Sequence, residues 1–176
     1  DEQAKIGTFF KQLNDTIDLH QRQFDNYKEM KKAMLQNMFT RNGEDFPDVR
    51  FIGFTEAWNQ HTLDKYLKTS KVKNSSGFFD KEHVLSVSGD YGIVNQIEFQ
   101  GRSFAGESVL NYGVVNNGDI VYTKSPLKAN PHGIIKTNKG KSGIVSTLYA
   151  VYNITELSNS DFIQTYFEDD SRLNQY

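Results

Sequence analysis

Apolar side chains at the front of the chain recur at alternating spacings of three and four, unbroken over residues 6–38. One row reads Ile6, Leu13, His20, Tyr27, Met34, and its partner row reads Phe10, Ile17, Phe24, Lys31, Met38. That period keeps two rows of side chains on one seam, as a helix does when it supercoils against another helix. It predicts one long helix over residues 3–39, with no proline and a single glycine, Gly7. At about 1.5 Å per residue the rod is roughly 50 Å long, more than a domain of this size can bury. It needs a partner, and its length suits it to setting a distance. The candidate coiled-coil interface is Ile6, Phe10, Leu13, Ile17, His20, Phe24, Tyr27, Met34 and Met38. His20 stands where a polar seam residue fixes register.

The pattern stops at Thr40-Arg41-Asn42-Gly43, a helix C-terminal signal, and Pro47 blocks continuation. Residues 41–48 are polar and turn-rich and are expected to form a hinge between a spacer helix (1–40) and a second unit (49–176). From Val49 onward, β-branched and aromatic residues come in short clusters: Arg50-Phe51-Ile52, Val84-Leu85-Ser86-Val87, Ile93-Val94, Val114-Val115, Asp119-Ile120-Val121-Tyr122, Ile134-Ile135 and residues 144–154. Gly, Asn, Ser or Pro separates them, which predicts many short strands. Residues 55–66 can start with a helical turn, and residues 160–167 form a short amphipathic pattern. The expected class is α+β, a long N-terminal coiled-coil helix followed by an irregular β-rich domain.

Composition adds exclusions. The 176 residues include no cysteine, so disulfides and thiolate metal sites are ruled out. No apolar run approaches the ~18 residues of a membrane span. The start, Asp1-Glu2-Gln3, lacks signal-peptide character. A soluble, cytoplasmic protein without membrane partners is expected. The formal charge of −2 is uneven: residues 1–40 balance, 41–67 carry −2, 68–141 carry +4 and the remainder −4. A local lysine excess suits a polyanion-binding face, although lysines also decorate ordinary exposed loops.

Catalytic signals are missing. Gly140-Lys141-Ser142 looks like the end of a phosphate loop, but the required glycine five residues earlier is Ile135. Glu29-Met30-Lys31 lies within the predicted helix as surface charge. The histidines, His20, His61, His83 and His132, show no helical metal-site spacing. No glycine-rich turn is placed for a nucleotide cofactor, and no Asn/Asp-Pro-Pro-aromatic motif of amino-methyltransferases occurs. No enzymatic activity, metal or cofactor is expected in this chain.

Two polar loop segments, residues 86–96 and 122–133, instead place amide, hydroxyl and lysine groups beside strands, where they can meet phosphates and base edges. The candidate phosphate contacts are Lys68, Lys71, Lys73, Arg102, Lys124, Lys128, Lys136, Lys139 and Lys141. The candidate base readers are Asn95, Gln96, Ser125 and Asn130.

The residues Glu2-Gln3-Ala4-Lys5-Ile6-Gly7-Thr8-Phe9-Phe10-Lys11-Gln12-Leu13, with Asp15, Ile17 and Leu19-His20-Gln21-Arg22, closely resemble the central conserved helix of type I restriction–modification specificity subunits. Lys31-Lys32-Ala33-Met34-Leu35-Gln36-Asn37-Met38-Phe39 resembles the end of that helix. Val49-Arg50-Phe51, Gly53-Phe54 and Trp58 resemble the start of a target recognition domain. Val84-Leu85-Ser86-Val87-Ser88, Tyr91-Gly92-Ile93-Val94, Gly118-Asp119-Ile120-Val121-Tyr122 and Gly143-Ile144-Val145-Ser146-Thr147-Leu148-Tyr149 resemble its strands. The resemblance implies one spacer helix and one recognition domain, incomplete at its C-terminal end, that reads half of a split double-stranded DNA target. In that family two conserved helices pack antiparallel and dock methyltransferase subunits, whose chemistry uses S-adenosylmethionine. A restriction subunit supplies ATP- and Mg-dependent translocation and cleavage. The expected partners are therefore DNA, the methyltransferase and restriction subunits, and a second conserved helix or another copy of this chain. The competing reading is a coiled-coil adaptor whose β-rich domain binds protein.

Each apolar seam side chain gains roughly 1.5–3 kcal/mol on full burial, so the isolated chain is expected to self-associate through its helix. Sedimentation at about tens of micromolar protein should show a dimer, a range in which burial of several such side chains suffices. Leu13→Lys should shift it to monomer; a monomeric parent chain would refute the seam.

Overall fold

The computed structural model describes residues 1–41, 43–124 and 131–173. The chain divides into two compact units, Asp1–Asn59 and Gln60–Tyr176, and its class is α+β: a long N-terminal helix and a β-rich region of antiparallel sheets. No helix among the described residues is long and apolar enough to cross a membrane.

In the first unit, α1 spans Glu2–Asn37, 36 residues, which at about 1.5 Å each is a rod of some 54 Å. The Asp1 carboxylate accepts the Gln3 N–H at 2.9 Å, closing the free end of the helix. Glu2 sits in the first turn, where the helix dipole favours a negative charge. Gln21 bonds Asp25 one turn on, at 3.1 Å, and the Lys28 ammonium lies 4.7 Å from the Phe24 ring centre. No residue of α1 is buried. Its seam residues Ile6, Phe10, Leu13, Ile17, Phe24, Tyr27 and Met34 are 39–66% exposed, and His20 is exposed too. Met38, expected within the helix, is its C-cap, with its N–H on the Met34 carbonyl at 2.8 Å.

Beyond the cap the chain straps itself to the helix end. Phe39 is buried and meets Trp58 edge-on at 6.1 Å. The Val49 N–H donates to the Asn37 carbonyl and the Trp58 N–H to the Asp45 carbonyl, both at 2.9 Å. Arg41 pairs with Asp48 at 2.7 Å. These bonds hold residues 49–59 in the first unit, so the division falls after Asn59 rather than after the expected hinge at 41–48. The strand expected at Arg50-Phe51-Ile52 is a turn with Ile52 fully exposed. Arg50 donates to the Glu56 carbonyl at 2.7 Å, and Gly53 takes a φ of +94°, which bends the chain back before any strand can pair.

Among the described residues the second unit holds eight strands: β1 (Leu67–Thr69), β2 (Leu85–Ser88), β3 (Gly92–Asn95), β4 (Gly113–Val115), β5 (Ile120–Thr123), β6 (Ile135–Thr137), β7 (Gly143–Val145) and β8 (Tyr149–Ile154). A four-stranded antiparallel sheet runs β1-β8-β5-β6, and β2-β3 and β4-β7 form two further antiparallel pairs. Among the described residues it also holds three short α-helices: α2 (Gln96–Gln100), α3 (Ser160–Tyr166) and α4 (Asp170–Leu173). The amphipathic pattern at 160–167 is thus a helix, whereas the helical turn expected at the start of residues 55–66 is not there, and a 3-10 turn falls at the end of that segment instead, Leu63–Lys65. The sequence pattern contained no signal for β1 or α2, which are only three and five residues long.

Alternation along β5 builds two cores. Ile120 joins Leu67, Ile135, Ile163 and Phe167 on the face covered by α3, with Tyr122 and Tyr152 against them. Val121 points the other way, into Leu85, Val115, Val145 and Val151. A third cluster, Val84, Val109 and Ile144, continues beside the second. Asn159 caps α3 by accepting the Phe162 N–H at 3.0 Å, and Gln164 accepts the Thr137 N–H at 2.8 Å, so the helix serves the outer strand β6. Between the short strands, buried amides do the work of ladder bonds. Asn74, 1% exposed, holds both the N–H and C=O of Phe79. Asn138, also 1% exposed, donates to the carbonyls of Asn116 and Lys141.

Strand β7 passes so close to residues 83–85 that Gly143 has no room for a methyl group. A Cβ there would lie 2.5 Å from the His83 carbonyl oxygen and 2.9 Å from Leu85 Cγ. Gly143→Ala should therefore lower stability by about 1–3 kcal/mol, the usual cost of overpacking. An unchanged urea midpoint would show that β7 tolerates displacement.

Candidate functional site

The basic residues singled out in the sequence do not converge on one patch. Cross-strand neighbours share a face. Lys68 pairs with Asn153 on β8, and Lys136 pairs with Val121 on β5, so both lie on the sheet face away from α3. They occupy the two outer strands, β1 and β6, three strand spacings or about 14 Å apart. Lys68 is exposed and continues into exposed Lys71 and Lys73. Half-buried Lys136 continues into exposed Lys139 and Lys141. The cations thus form two edge groups, at residues 68–73 and 136–141.

Other candidates have partners that change their meaning. Lys139 is ion-paired with Asp161 at 2.8 Å, both about two-thirds exposed. The Lys124 ammonium reaches the Thr147 carbonyl at 3.4 Å. The Arg102 guanidinium lies 4.5 Å from the centre of the Phe104 ring. Ser125, Lys128 and Asn130 lie outside the described residues.

Asn95 and Gln96, expected to read bases, are engaged in building the unit. The Asn95 side-chain oxygen accepts the N–H groups of Ile97 at 2.9 Å and Glu98 at 3.1 Å, capping α2. Its amide nitrogen donates to the Glu82 carbonyl at 2.6 Å. Gln96 donates to the Ser86 hydroxyl at 3.1 Å and accepts the Phe104 N–H at 2.7 Å. Both amides thereby fasten the β2-β3 hairpin to its neighbours.

These bonds frame an open cleft of about 820 Å³ that the sequence reading missed. Glu82, Asn95, Glu98 and Phe99 line it on one side, Gly140, Lys141 and Ser142 come from the loop before β7, and Leu85 and Ile93 supply apolar lining. His83 lines it too, with Nδ1 held 2.7 Å from the Asp80 carboxylate. The hydrogen bond from His83, then that from the Glu82 N–H, lowers the Asp80 pKa below the ordinary aspartate value. The i, i+3 spacing of Asp80 and His83 was the available signal for this pair. On the other face, a smaller apolar pocket of about 290 Å³ includes Leu67, Tyr122, Ile135, Tyr152 and Phe167. Burial there, followed by the neighbouring Tyr122, raises the Tyr152 pKa. Among the described residues no group of three or more His, Asp or Glu side chains is placed to hold a metal ion.

No family model, curated protein or solved structure matches the chain.

The position of Asn95 yields a direct test. Asn95→Ala should cost about 1 kcal/mol through the lost cap, read as a lower urea midpoint. It should leave any DNA sequence preference unchanged; altered preference at one base pair would restore Asn95 as a reader.

Proposed function

We propose that this chain is a DNA-recognition component of the type I restriction–modification specificity kind. In this reading α1 is the coiled-coil spacer and docking helix, and the β-rich unit is the target recognition domain for one half-site. The observation that carries it is the 36-residue helix with its whole apolar seam exposed, followed in the same chain by a β-rich unit edged with lysines. The helix residues that resemble the family's conserved helix support the same reading. Methyl transfer to adenine, with S-adenosylmethionine, belongs to a methyltransferase partner. ATP- and Mg-dependent cleavage belongs to a restriction partner, and the assembly works in the cytoplasm.

Phosphate contact is assigned first to Lys68, Lys71 and Lys73, which are exposed on one edge, and then to Lys136 and Lys141. Lys139 ranks lower because DNA has to compete with Asp161 for it. Two edges about 14 Å apart suit contact with separated stretches of backbone rather than one continuous track. The adaptor reading is favoured by one specific observation, the engagement of both Asn95 and Gln96 in hydrogen bonds within the unit.

Salt dependence separates the two readings. Binding to a duplex should weaken steeply with salt, and Lys68→Ala or Lys71→Ala should each flatten the log–log slope by about one. The loss should be equal across DNA sequences, because an ammonium over phosphate sees the same charge at every step. Lys139→Ala should have the smaller effect. A salt-independent affinity, or none of these variants changing it, would favour the adaptor.

A further inference from the structure

The charge of the second unit is partitioned more sharply than its net value suggests. Residues 80–107 carry five acids, Asp80, Glu82, Asp90, Glu98 and Glu107, against Lys81 and Arg102. The rest of the stretch 68–141 carries eight lysines and one acid, Asp119. The cleft lies where these sectors meet, with Glu82 and Glu98 on the acidic side and Lys141 on the other. The two acidic positions are tied together through Asn95, which donates to the Glu82 carbonyl and accepts the Glu98 N–H. Phe99 lines the same side, its ring centre 5.2 Å from that of Tyr91, and both rings are substantially exposed.

We propose that this cleft receives a lysine or arginine side chain from an extended segment of a protein partner. Carboxylates attract the cationic head, and an exposed aromatic face adds to that attraction. Ile93 and Ile97, both half-buried, provide apolar surface for the aliphatic stem of the same side chain. A DNA phosphate on this side meets Glu82 and Glu98 and is repelled. Lys141 repels the incoming cation from across the cleft, which seats it against the acidic wall. The site goes beyond the DNA-recognition reading and does not depend on it: the lysine edges face a polyanion, and this wall faces a polycation.

The test uses the full chain and blocked hexapeptides in which arginine or lysine alternates with alanine. Matched controls carry citrulline or norleucine in place of the basic residue. In an amide NMR titration the basic peptides should give saturable shifts at Glu98, Phe99 and Ser142, and the controls none. Glu82→Gln combined with Glu98→Gln should weaken binding about fivefold, and Phe99→Ala should weaken it by roughly twofold or more, the scale of exposed ion pairs and cation–π contacts. Lys141→Ala should tighten the peptide while weakening any duplex. The same spectra report whether each variant keeps its fold. Basic peptides that leave these amides unshifted overturn the proposal. So does binding that survives both the Glu and Phe99 changes, or a DNA duplex that shifts the Glu98 and Phe99 amides instead.

Discussion

A strand covered on both faces dictates the arrangement around it, and in the second unit that strand is β5. Ile120 and Val121 are adjacent, fully buried, and belong to different cores. A slip of one residue would drive Val121 toward α3 and Ile120 into the opposite cluster, exchanging every contact on both faces. Register is therefore strongly specified although β5 is only four residues long. The rest of the unit follows from that. β8 and β6 pair with β5 on either side, α3 covers one face, and β7 contributes Val145 to the core on the other. Strands this short leave much backbone outside ladders, and its polar groups need partners. Asn74, Asp119 and Asn138 supply them from inside; the buried Asp119 carboxylate accepts both the Asn116 N–H and the Asn153 amide at 2.7 Å.

The first unit is organised by the opposite condition. Its helix buries no residue, so its own stabilisation is local: a cap at Asp1, the Gln21–Asp25 bond, Lys28 over Phe24. Such contacts contribute about 0.2–1 kcal/mol each, while full burial of one apolar seam side chain contributes about 1.5–3 kcal/mol. Most of the stabilisation open to α1 therefore lies in a surface it has yet to cover.

How far the sequence could be read depended on the length of each signal. The heptad rows placed α1 to within two residues because more than thirty positions repeat one rule. The clusters at Val84, Ile93, Val114, Ile120 and Ile144 marked strands, since β-branched runs between turn residues have few other uses. Phe51-Ile52 carried the same composition and became a turn, because Gly53 and the bond from Arg50 to the Glu56 carbonyl overrule three residues of propensity. β1 was invisible for the converse reason: Leu67-Lys68-Thr69 has one apolar residue, and its strand character comes from pairing with β8 across more than eighty positions. The cleft was invisible too, because its walls come from residues 82–99 and 138–142, and no local pattern announces that meeting.

The same distinction governs the polar residues. In a unit with more loop than strand, an Asn or Gln beside a strand is needed first to close backbone hydrogen bonds, and Asn95, Gln96, Asn74 and Asn138 all do so. A loop amide is therefore a weak sign of base reading until its own hydrogen bonds have been traced. Lysine is different, because few backbone groups call on a cation, and Lys68, Lys71 and Lys73 are exposed, with Lys68 near enough to Asp64 to act on its charge. A lysine excess counts for more when acids are locally absent than when a whole segment is averaged. Residues 68–79 contain no acid, whereas 80–107 contain five. An average over residues 68–141 merges a lysine-bearing edge with an acidic stretch. Position along the fold, rather than net charge averaged over a segment, is what separates the two.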